Sequence, residues 1–157
     1  MSSRWRWTIS SDPWRRDGLC RQAAALALVA LGCLAASAQA IEVAIVVRAD
    51  SALTGLSRDD AYAMFVLDQR RGYTTFDLPD TDPAREAFYQ HLAGKNLAMM
   101  RGLRARLVFS GQARPPRQLG SAELIPLLLH DPKAVGYLPI ELVPPGLRVL
   151  LPLGDIP

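Results

Sequence analysis

Glu42-Val43-Ala44-Ile45-Val46-Val47 decides the fold class of this chain. The run is apolar and rich in β-branched residues, with little alternation. That is the pattern of a strand covered on both faces, as in parallel sheets. Downstream, Ser57-Arg58-Asp59-Asp60 opens a helix. Ser57 can cap it, and Asp60 can reach back as in a capping box. Ala61, Met64, Phe65 and Leu67 or Asp68 fall on one face, and Arg70-Arg71-Gly72 ends the helix. Thr74-Thr75-Phe76-Asp77-Leu78 alternates with period two, as a short strand does. Asp82-Pro83 starts a second helix, with Asp82 as N-cap and Pro83 at the first position, where its missing N–H costs nothing. Ala87, Phe88, His91 and Leu92 form its apolar side, and Gly94 closes it.

Asn96 caps a third helix. Leu97, Met100, Leu103 or Arg104, and Leu107 fall inward, and Arg101, Arg104 and Arg106 lean outward. Ser110 to Gly120 reads as a loop around Pro115-Pro116. Ser121 caps a helix ending at His130, in which Pro126 removes one backbone bond. Asp131-Pro132 turns the chain into a second buried strand, Ala134 to Leu138. A last strand, Leu147 to Leu151, is fenced by Pro144-Pro145-Gly146 and by Pro152. Strands alternating with helices predict a single α/β domain over 41–157, a three-layer αβα lobe with a mixed, mostly parallel sheet.

Upstream of this domain lies a different kind of sequence. Arg4, Arg6, Arg15, Arg16 and Arg21 make a basic start, and Ala23 to Ala36 carries no charge. Ala38-Gln39-Ala40 then places small residues where signal peptidase reads them. This is the layout of a secretory signal peptide, and the apolar run is short of the roughly 20 residues a membrane span needs. The reading is therefore a leader over 1–40, cleavage after Ala40, and a periplasmic protein with no membrane span after cleavage. Cys20 and Cys33, the two cysteines, both fall in the leader. Lipidation at Cys33 is the competing reading, but Ala30-Leu31-Gly32 has the lipobox order wrong.

Removing the leader changes the electrostatics. The whole chain carries 18 Lys+Arg against 15 Asp+Glu, and the leader holds five of the former and two of the latter. The remainder has 13 of each and is formally neutral. A neutral chain lacks the field that draws proteins to nucleic acid, so no nucleic-acid partner is expected. The 157 residues less the 40 of the leader leave 117, enough for one packed domain.

Catalytic and cofactor motifs are sparse. His91 and His130 are the only histidines, with no metal-ligand spacing around them. No nucleophile elbow, P-loop or dinucleotide fingerprint is present. The expectation is a non-enzymatic protein without metal or cofactor. The acidic pairs Asp59-Asp60 and Asp80-Asp82 suit helix N-termini. Arg101, Arg104 and Arg106 on one helix, with Arg114 and Arg117 in the loop after it, supply donors for an anion, because guanidinium groups and helix N-termini both bind oxyanions.

Five stretches carry a family resemblance. They are Val43 to Val47, Leu56-Ser57-Arg58-Asp59 with Met64-Phe65, Ala84-Arg85-Glu86-Ala87-Phe88-Tyr89, Arg106-Leu107-Val108-Phe109-Ser110-Gly111, and Asp131-Pro132-Lys133-Ala134-Val135-Gly136-Tyr137-Leu138. In this order they resemble the phosphate-binding-protein-like domain of periplasmic solute-binding proteins of phosphate ABC transporters, in a short single-lobe form. The resemblance implies a type II periplasmic-binding lobe and a small phosphate-like anion as ligand. Together with the arginine cluster it singles out Thr81, Arg85, Ser110, Gly111 and Arg114 as ligand-binding candidates. The family's Ser-Gly-Thr phosphate turn aligns with Asp82-Pro83-Ala84, where the hydroxyls are gone and a carboxylate stands instead. A carboxylate beside a phosphate is repelled by about 1 to 4 kcal/mol, depending on local dielectric. A second role follows from that departure: an interaction module that keeps the fold and docks on an envelope protein, such as a transporter or sensor subunit.

Overall fold

The computed structural model describes residues 41–154. The leader, its Ala38-Gln39-Ala40 motif and both cysteines lie outside the described residues. Five strands form one sheet in the order β3-β2-β4-β1-β5. They are β1 (Val43–Arg48), β2 (Thr74–Asp77), β3 (Arg117–Gln118), β4 (Ala134–Pro139) and β5 (Leu147–Leu153). Four α-helices are described: α1 (Arg58–Phe65), α2 (Pro83–Ala93), α3 (Leu97–Phe109) and α4 (Ser121–His130). No helix among the described residues is long and apolar enough to cross a membrane.

β2 is parallel to β3 and β4, and β1 is antiparallel to both β4 and β5. Four strands therefore run one way and β1 alone runs the other. Val43 to Val47 are fully buried, as the apolar run demands. The parallel pairing expected for it is corrected: β1 reaches the same burial between two antiparallel neighbours. Burial on both faces, not strand direction, is what such a run encodes.

The two faces are distinguished by adjacent residues of β4. Tyr137 stacks on Phe88 of α2, with ring centroids 3.7 Å apart. Gly136 points the opposite way, where a Cβ would come within 3.2 Å of Leu124 on α4. Neighbouring strand residues point to opposite faces, so α2 and α4 cover opposite sides and the sheet is the middle layer. Phe65 of α1 meets Phe88 edge-on at 5.1 Å, which puts α1 on the α2 side.

Local capping follows the sequence closely. Ser57 accepts from the Asp60 N–H at 3.1 Å and its hydroxyl donates to Asp60 Oδ2 at 2.6 Å. Asp82 accepts from the Ala84 N–H at 2.9 Å, Asn96 accepts from the Met99 N–H at 2.9 Å, and Gly94 closes α2 at φ 62°. Other expectations are corrected. α1 stops at Phe65, and Asp68 and Arg71 adopt positive φ beyond it. Thr75, Phe76 and Asp77 of β2 are all buried, so the strand does not alternate between core and solvent. Ser121 is the first residue of α4 and not its cap, which is Gly120. Pro152 lies inside β5, paired with Ala44. β5 is an edge strand, where a missing N–H can face solvent.

α3 sits at the rim of the molecule. Of its thirteen residues only Met100 is buried. Gly102 lies in its middle, and a Cβ there would meet nothing within 4 Å. A mid-helix glycine costs about 0.5–1 kcal/mol relative to alanine, and no packing within the lobe accounts for it. Gly102→Ala should therefore raise unfolding stability by about that amount, read from the denaturant midpoint. An unchanged or lowered midpoint would mean the glycine is needed by the fold.

Candidate functional site

Asp77 ends β2 inside the molecule with no exposed surface. A carboxylate in such a place must be paired and hydrogen-bonded, because desolvating a lone charge is prohibitive. Its partners come from three elements. Tyr137 of β4 donates its hydroxyl to Oδ1 and Tyr89 of α2 donates to Oδ2 at 3.0 Å. Arg104 of α3 reaches Oδ2 at 2.8 Å and Arg85 of α2 reaches it at 3.1 Å. Arg85 and Tyr89 are four residues apart on one helix and so share a face. That spacing is what lets α2 present a cation and a hydroxyl to the same carboxylate.

The network continues outward. Arg104 donates to the Tyr89 hydroxyl and lies over that ring at 4.8 Å. Tyr137 in turn accepts from the Leu78 N–H at 3.2 Å. Asp80 pairs with Arg85 through Nη1 and with Arg101 Nε at 3.2 Å. Gln118, its amide oxygen turned toward Arg85, accepts from Nη1 at 2.7 Å. Within this cluster Arg85 Nε is buried without an acceptor.

Exposure separates two parts of this cluster. The side chains of Asp77, Arg85 and Arg104 are 0, 6 and 13% exposed, whereas Asp80 and Arg101 are 45 and 64% exposed. The inner part is held in low dielectric, where removal of one partner costs about 3–5 kcal/mol. The outer pair is solvent-screened and contributes about 0–1 kcal/mol. The sequence allows Arg104 on either face; it turns inward, where Asp77 offers it a buried carboxylate.

The cluster lies where an α/β sheet places ligands, at the carboxyl end of a parallel strand beside a helix N-terminus. Yet its donors are already engaged. Asp82 takes the Ala84 N–H, Pro83 has none, and the Arg85 N–H donates to the Asp82 carbonyl at 3.1 Å. Asp77 and Asp80 occupy the guanidinium groups. Anion chemistry at this place is satisfied from within the chain.

The residues singled out from sequence are dispersed. Arg85 is in the cluster, and Thr81 is exposed in the turn before α2. Ser110 and Gly111 are exposed at the far end of α3, where the Ser110 hydroxyl donates to the Leu107 carbonyl at 3.1 Å. Arg114 is also exposed, and its N–H donates to Asp68 Oδ2 at 3.0 Å. Among the described residues no hydrogen bond or ion pair joins Ser110, Gly111 or Arg114 to Arg85. Asp77, Tyr89, Arg104 and Tyr137 were not among the candidates. The available signal was Asp77 itself, a lone acid in a strand bounded by apolar residues, with Arg85 and Tyr89 spaced to meet it.

No family model and no curated protein matches this chain. Among solved structures, the chain is similar to an ABC-type phosphate transport receptor from Vibrio cholerae, at 16% identity and a TM-score of 0.50. The match covers 69% of this chain and 44% of the receptor, so the chain spans less than half of that protein's length. The likeness shows the fold alone: an α/β lobe shaped like part of that receptor.

Two predictions follow from the inner cluster. Asp77→Asn keeps the shape and leaves Arg85 and Arg104 short of their counter-charge, so it should lose about 3–5 kcal/mol of unfolding free energy. A loss below about 1 kcal/mol in chemical denaturation would place the charge outside the stabilising network. Burial first, and then the Asp77 charge, hold the Tyr89 and Tyr137 hydroxyls well above the ordinary tyrosine value. Groups raised in the folded state contribute fully below the unfolded value of about 10 and lose that contribution as pH climbs past it. Stability should fall above pH ~10 by up to about 2.7 kcal/mol per pH unit for the two tyrosines, and Tyr89→Phe should halve the slope.

Proposed function

We propose that this chain is a non-catalytic binding protein of the cell envelope, built on one lobe of the solute-binding architecture, whose work is docking on another envelope protein. Asp77 and Asp80 carry the proposal by filling the guanidinium groups at the sheet end where a receptor lobe would take an anion. A free phosphate would have to displace a carboxylate that is buried or paired, and would meet the Asp82 charge as well. The leader-like residues 1–40 support a periplasmic location. A transporter or sensor subunit of a phosphate uptake system is the partner class that the fold suggests.

A second reading keeps the anion. Asp80 is 45% exposed and Arg85 Nε is a buried donor without an acceptor. Asp80 can swing into solvent at little cost, and a phosphate-like anion could then take its place on Arg85 and Arg101.

Calorimetry separates the two. Phosphate and sulfate titrated into the mature protein should give no heat at millimolar ligand, and Asp80→Ala, which removes the exposed counter-charge of Arg85 and Arg101, should create weak binding. Phosphate heat in the unaltered protein that disappears in Arg85→Met would establish the anion reading and overturn the docking one.

A further inference from the structure

We infer that the solvent-facing side of α3 is a docking surface for an apolar helix of another protein that carries carboxylates along its flanks, an inference that rests on the docking reading above and specifies its partner. A rim helix ordinarily turns charged and polar residues to water. α3 instead turns out Ala98, Met99, Gly102, Ala105, Val108 and Phe109, all exposed. Phe109 is 91% exposed, Met99 55% and Val108 47%. Only Arg101 and Arg106 interrupt this face. At 100° per residue, Ala98, Gly102, Ala105 and Phe109 form its central line, with Arg101 on one side and Arg106 on the other.

Charge selects the occupant. Between Glu86 and Glu123 the chain has no acidic residue, while Lys95, Arg101, Arg104, Arg106, Arg114 and Arg117 all lie there. Arg104 is committed to Asp77, and Arg101 to the exposed Asp80. Arg106, Arg114 and Arg117 have no carboxylate partner among the described residues. Neutrality of residues 41–157 thus conceals a stretch of sequence that is basic throughout. A second copy of this chain is disfavoured, because a two-fold pairing of this face sets Arg101 and Arg106 against the same arginines. A lipid surface fits less well: helices that lie in membranes centre their buried face on bulky Phe, Trp or Leu, and here the centre is alanine and glycine. Small residues let another helix approach closely, Phe109 supplies the aromatic anchor typical of interface hot spots, and flanking carboxylates complete the arginines.

The test places a photo-cross-linking residue on the face itself. Met99→p-benzoylphenylalanine replaces an exposed, already bulky side chain at the edge of the face and leaves its small-residue centre open, and circular dichroism checks the fold. Irradiated in the host envelope, the full chain should yield one cross-linked peptide, a helix with Asp or Glu beside its apolar residues. Arg101→Glu with Arg106→Glu should cut the yield about tenfold or more, the equivalent of one strong charge pair, and reversing the partner's acids to Lys should restore it. A peptide from this chain itself, a peptide lacking acids, no peptide, or a yield indifferent to charge reversal each overturns the inference. So does binding of the mature protein to phosphatidylethanolamine–phosphatidylglycerol vesicles that Phe109→Ser abolishes, since the occupant would then be lipid. Phosphate heat at the Asp77–Asp80 cluster would overturn the docking reading of that cluster while leaving a mapped cross-link intact, so the two failures are distinguishable.

Discussion

The buried carboxylate of Asp77 is the constraint around which the lobe is arranged. It has no access to water, and so it obliges α2, α3 and β4 to deliver donors to one point. The apolar stripe of Leu97, Met100, Leu103 and Leu107 turns α3 to the core. The Arg104 fork, laid over Tyr89 and directed at Asp77, adds directional contacts to that packing. Buried ionic groups need not add net stability over a packed apolar alternative.

That rotation has a reciprocal effect on the surface. With Arg104 turned to the core, the residues left outside are small or apolar, flanked by arginines. The same orientation of α3 that closes the strand-end cluster therefore exposes this face. The strand-end cluster is filled by the chain's own carboxylates, and the rim helix is apolar outward. The fold the chain shares with the Vibrio cholerae receptor tolerates this, since function resides in sites borne by a fold and not in the fold.

What sequence reveals here divides by range. The Asp82-Pro83 start, the Gly94 stop and the Ser57 and Asn96 caps depend on neighbours within four residues, and all appear as read. So does the α/β layering, which follows from alternating periodicity. The direction of β1 depends on partners 90 to 110 residues away, and its apolar run is equally compatible with parallel or antiparallel neighbours. β3 is two residues long and exists only because β2 offers it an edge. Of the candidate site, Arg85 was legible because a motif surrounds it. Arg104 was not: its inward turn is caused by a carboxylate 27 residues earlier in the chain, and nothing adjacent to it marks that difference from Arg101 or Arg106.

Strand order has one more consequence. β1, the first strand described, is central, yet its second neighbour is β5, the last. Until Leu147–Leu153 is available, one side of the most apolar strand has no backbone partner, and the sheet cannot close. Such long-range pairing is slow to form because loop closure must precede it. A chain emerging residue by residue thus leaves β1 unpaired on that side, and the sheet unfinished, until Leu147–Leu153 has been made.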